Sequence, residues 1–112
     1  MIGIYDCFGY GAGYGVSFEE RYKLIKNAGF DCVMLWWSDK FGRGNGGKYN
    51  QHQLPFDGSI DWAGVMKKIA ITGYQGATTL EPMNWDYEDL TIQQFLDTAY
   101  QKAVKIDEMR VA

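Results

Sequence analysis

The chain has 112 residues, enough for one buried core and too few for two, and too short for a complete (β/α)₈ barrel, which needs roughly 200 to 250. Hydrophobic residues make up 46% and charged residues 22%, so the composition is that of a folded chain, not a disordered one. With 11 Lys+Arg against 14 Asp+Glu the net charge is -3, which offers nothing to attract nucleic acid or an anionic membrane.

Ile2 to Phe8 opens as a strand, apolar with β-branched and aromatic residues. Gly9, Gly11, Gly13 and Gly15 then alternate with other residues and read as a loop. Ser17 and Glu20 have capping-box spacing, and Phe18, Tyr22, Ile25 and Ala28 fall on one face of a helix that Gly29 ends. Asp31 to Trp37 is a nearly continuous apolar run, the pattern of a strand buried on both faces of a parallel sheet.

From Ser38 to Ser59 the chain is polar and Gly-rich, a loop of about 20 residues that is long for a compact domain. Asp61 caps a helix with Trp62, Val65, Met66 and Ile69 on one face, and Gly73 ends it. Gly76 to Glu81 is a third strand, stopped by Pro82. A polar and aromatic loop over residues 83–90 leads to Thr91, which caps a last helix with the stripe Ile92, Phe95, Leu96, Ala99, Ala103 and Ile106. The order βαβ, long loop, αβα predicts an α/β fold, a parallel sheet with helices packed on it and a right-handed crossover. A sheet of three strands leaves two edges that need an answer.

No secretory signal opens the chain, and no apolar run approaches the length of about 18 residues that spans a membrane. Cys7 and Cys32 lie in apolar stretches without CxxC spacing and read as reduced core residues of a cytoplasmic protein. His52 is the single histidine, which excludes a multi-histidine metal site within one chain.

Gly42 to Lys48 matches the start of a P-loop, but Tyr49 stands where Ser or Thr must bind magnesium, and the residues after it have no helical pattern. A flexible glycine linker accounts for it better. Glu81 is the most informative carboxylate. It ends a strand of a parallel α/β fold, where ligands bind, and a carboxylate there can hold a divalent metal or move a proton, or simply cap and salt-bridge. Asp6 ends the first strand in the same way. Of Trp36 and Trp37, one is a candidate wall for a sugar, although core packing accounts for both. His52 in its polar loop reads, taken alone, as an exposed bystander.

Gly3 to Asp6, Phe18 to Asp31 and Val33 to Trp37 resemble the start of a sugar phosphate isomerase/epimerase, a xylose isomerase-like TIM barrel related to the endonuclease IV family. His52 to Trp62, Val65 to Ile69 and Gly73 to Glu81, with Tyr87 to Leu90 and the final helix, resemble the end of the same barrel. The resemblance divides the chain into a barrel N-terminal block (1–41), a Gly-rich linker (42–49) and a barrel C-terminal block (50–112), forming a single domain over 1–112. It implies that the barrel's third to seventh strands, on the order of 150 residues, are absent.

The strands retained are neighbours in a closed barrel. The implied fold is therefore a partial TIM barrel: a three-stranded parallel sheet in the order 3-1-2 with three helices over one face, completed by oligomerisation. In the family a divalent metal (Mn, Mg or Zn) sits between carboxylates and a histidine, and two glutamates exchange a sugar proton. Glu81 matches the last-strand glutamate and is the implied catalytic residue and metal ligand. His52 matches the histidine of an Asp-x-His metal pair whose first position is here Asn50. The partner glutamate lies in the absent part. The resemblance thus implies a self-associating barrel fragment without a full catalytic site, or else an active oligomeric isomerase using Glu81. The implied partners are further copies of the chain and a small sugar or sugar phosphate, with Trp36, Trp37 and Asp6 as candidate sugar contacts.

Overall fold

The structure, a computed structural model, describes residues 1–5, 18–34, 53–84 and 86–111. Its elements run β1 (Ile2–Tyr5), α1 (Phe18–Ala28), β2 (Cys32–Met34), α2 (Trp62–Ile71), β3 (Thr78–Leu80) and α3 (Ile92–Glu108). The strands form one parallel sheet in the order β2-β1-β3. The sequence-based order and the central place of the first strand are therefore observed.

Pleating puts Ile2 and Ile4 of β1 on one face with Val33 of β2 and Leu80 of β3. That face meets Ile25 of α1 and Phe95, Leu96, Ala99, Ala103 and Ile106 of the α3 stripe, all 3% exposed or less, while Ile92 at the head of the stripe is half-buried. α2 adds Met66, and Trp62 and Ile69 pack partly against the same core. The opposite face carries Gly3, Tyr5, Cys32, Met34 and Thr79. Cys32 is a half-buried free thiol.

The helices start and stop where local chemistry requires. Asp61 accepts a hydrogen bond from the Gly64 N–H at 3.1 Å and caps α2. Thr91 and Gln94 form a complete capping box on α3. Gly29 and Gly73, at φ 109° and 76°, follow α1 and α2 in the left-handed region. At Gly29 the requirement is double, since a Cβ there would also press on the Tyr100 ring at 3.0 Å. That ring meets Phe30 edge-on, with centroids 5.3 Å apart.

Two expectations change. Cys32 to Met34 is not buried on both faces: Cys32 and Val33 are half-buried and Met34 is 41% exposed. Among the described residues β2 is an edge strand with helices over one face only, and a continuous apolar run does not distinguish that from a doubly covered strand. The loop over residues 83–90 is not simply polar surface either, because Pro82, Met83 and Asn84 are buried. The strand ends beyond Tyr5 and Met34, the Ser17 cap, Cys7 and the Gly-rich stretch 42–49 lie outside the described residues.

Candidate functional site at the end of the third strand

Glu81 follows β3 directly and is exposed. β3 pairs with β1 through Ile4 and Leu80, and carrying that register one residue further sets Glu81 beside Tyr5, which pairs in turn with Met34. Alternation puts Tyr5, Met34 and Glu81 on the sheet face turned away from α1 and α3. This is the carboxyl end of all three strands, where parallel α/β folds bind ligands. Tyr5 is only 5% exposed there.

Glu81 also borders a groove of about 350 Å³ that runs between α2 and the outer edge of β3. Ile60, Val65 and Tyr74, which are 56%, 38% and 51% exposed, line it. Arg110 lines its other end, donating to the Gly76 carbonyl at 2.8 Å and to Asp107 at 2.9 Å. Asp107 in turn accepts from the Thr78 hydroxyl at 2.6 Å. The groove is thus apolar along its length, with a carboxylate at the top and a guanidinium at the bottom.

Gln53 and Pro55 form part of the groove's rim, and a polar clamp fixes this segment. The Tyr87 hydroxyl accepts from the Leu54 N–H at 2.8 Å and donates to Asp57 at 2.7 Å. Lys102 of α3 donates to the other Asp57 oxygen at 2.5 Å, and Gln53 donates to Asp86 at 3.2 Å. The clamp holds Phe56 at φ 73°, an unfavourable conformation for a non-glycine residue, with Lys105 4.6 Å above its ring centroid. Burial works to raise the Asp57 pKa, but the hydrogen bonds from Lys102 and Tyr87 and the Lys102 charge outweigh it, and the carboxyl ends below its ordinary value. Burial, then the bond to Asp57 and the charges of Asp57 and Asp86, push Tyr87 up to about 12.

Of the sequence-predicted site residues, Glu81 alone is described; Asp6, Trp36, Trp37 and His52 lie outside the described residues. Among the described residues no group of three or more His, Cys, Asp or Glu gathers to hold a metal. One carboxylate falls well short of the donor set a divalent metal needs, so the described part of one chain does not fit such a centre. The Asp57–Tyr87–Lys102 clamp escaped the sequence reading, although Tyr87 lies in a segment that carried the family resemblance. Among the described residues no helix is long and apolar enough to cross a membrane.

Among the described residues the fold is an open three-stranded parallel α/β sheet, with a carboxylate at the carboxyl end of its last strand. No family model matches the chain, and no solved structure matches it. The chain is similar to the uncharacterized protein y4fM of Sinorhizobium fredii, with 36% identity over 66 residues. Those residues are 58% of this chain and 21% of that protein, so the match spans about a fifth of the relative's length.

Proposed function

We propose that this chain is a truncated relative of the metal-dependent sugar (phosphate) isomerases and epimerases, a section of their barrel that self-associates and carries no full catalytic site of its own. The observation that carries the reading is the sheet order β2-β1-β3, all parallel, with β1 central and helices on one face. The first, second and last strands of a closed (β/α)₈ barrel would keep this order if the strands between them were lost. Glu81 then stands at the end of the last strand, where the family's glutamate is expected.

A second reading is an active oligomeric isomerase in which Glu81 is metal ligand or base, with a small sugar or sugar phosphate as substrate. The exposed carboxylate at the mouth of the groove favours it. Activity on a panel of ketoses and ketose phosphates, with and without manganese, separates the two. The first reading expects no turnover from the wild type or from Glu81→Gln. Manganese-dependent turnover that disappears in Glu81→Gln replaces it with the second.

A further inference from the structure

Among the described residues β3 has one edge paired with β1 and one edge without a strand partner. The Thr78 N–H donates to the Met1 carbonyl at 3.0 Å, on the β1 side. Successive peptide groups of a strand point to opposite sides, so the Thr79 N–H and C=O point away from β1 into the groove. Among the described residues no strand pairs with that edge. The apolar side chains of Ile60 and Val65 flank it and stay exposed. An open edge bordered by apolar surface is a template for another strand.

The charges choose the occupant. Glu81 lies at one end of the groove and Arg110 at the other. A strand from a second copy, running antiparallel, brings the carboxylate of each copy to the guanidinium end of the other. Self-complementarity of this kind is what a two-fold interface requires. The register follows from the backbone. With both of its polar groups facing outward, Thr79 can exchange two hydrogen bonds with Thr79 of the second copy on the axis. Glu81 then falls opposite Ala77 of the second copy, one residue from the Gly76 carbonyl that holds Arg110. Thr79 side chains would lie side by side on the open face, a favourable cross-strand pair.

We infer that a second copy of this chain docks along the outer edge of β3, antiparallel about a two-fold axis through Thr79, with Ile60 and Val65 covered at the seam. This rests on the reading that the chain self-associates and names the edge through which it does so.

Cysteine cross-linking of the full chain tests it. A hydrogen-bonded antiparallel pair holds its Cα atoms about 5.5 Å apart, within disulfide reach. Under mild oxidation Thr79→Cys should give a 79–79 disulfide dimer at least about tenfold faster than Ile71→Cys, an exposed control on α2. Thr79→Pro removes the outward N–H and leaves the bonds to β1, so it should weaken the dimer at least about tenfold with an unchanged circular dichroism spectrum. A dimer that ignores Thr79→Pro and forms no 79–79 bond overturns the edge while self-association stands. A monomer at every concentration overturns both.

Discussion

The Asp57 carboxylate is where three separated stretches of the chain meet, and its titration is a direct handle on the clamp around the groove's rim. Its pKa is lowered in the folded protein, so the clamp contributes stability above the ordinary carboxyl value of 3.8 and loses it as pH falls through the folded value. Tyr87 is raised from 10.0 to about 12, so its contribution is fully present below pH 10.0 and is lost as pH rises toward 12. Urea midpoints measured against pH should therefore form a plateau with a fall on each side. Asp57→Asn should flatten the acid fall and lessen the alkaline one, whose first cause is the burial of Tyr87. If both survive unchanged in that variant, other groups cause them. At the same scale, Thr91→Ala removes the oxygen that accepts from the Gln94 N–H at 3.1 Å and should cost about 1 kcal/mol in urea unfolding.

At the scale of elements, α3 holds the fold together. Phe95 is fully buried beneath the sheet and packs on Tyr87 with ring centroids 5.5 Å apart, so Phe95→Ala should cost about 3 to 5 kcal/mol. A far smaller loss would mean that α3 does not bear on the sheet as described. The sheet has an equally tight point at Gly3. A Cβ there would lie 2.7 Å from the Cys32 sulfur and 2.9 Å from the Thr79 hydroxyl. Gly3→Val should push β2 and β3 apart and destabilise by roughly 1 to 3 kcal/mol, read in the same way.

The helices were legible from their 3.6-residue apolar period and, for α2 and α3, from their caps, as Asp61, Thr91 and the Phe95–Ile106 stripe show; the strand order was legible only through the resemblance to a barrel, in which the first, second and last strands are neighbours. Glu81 was legible from its place between an apolar strand and Pro82. The burial of β2 was not, because how many faces of a strand are covered depends on neighbours remote in sequence. The clamp was not legible for the same reason: Asp57 meets Tyr87 and Lys102 across 30 and 45 residues, and no local period records such a contact.

At the scale of the molecule, the sheet has two outer edges among the described residues, one face under helices and an apolar groove beside β3. Among the described residues α3 and parts of α1 and α2 cover the core, and no strand pairs with the outer edges. In a full barrel the edges would meet other strands; in our account they meet further copies of the chain. Glu81 contributes one carboxylate per copy, which is why we expect association without metal dependence.

The mass in solution, by size-exclusion chromatography with light scattering over a range of concentrations with and without manganese, tests this most directly. The account expects at least twice the 12.8 kDa of one chain, the same with and without the metal. A 12.8 kDa species at every concentration would contradict it.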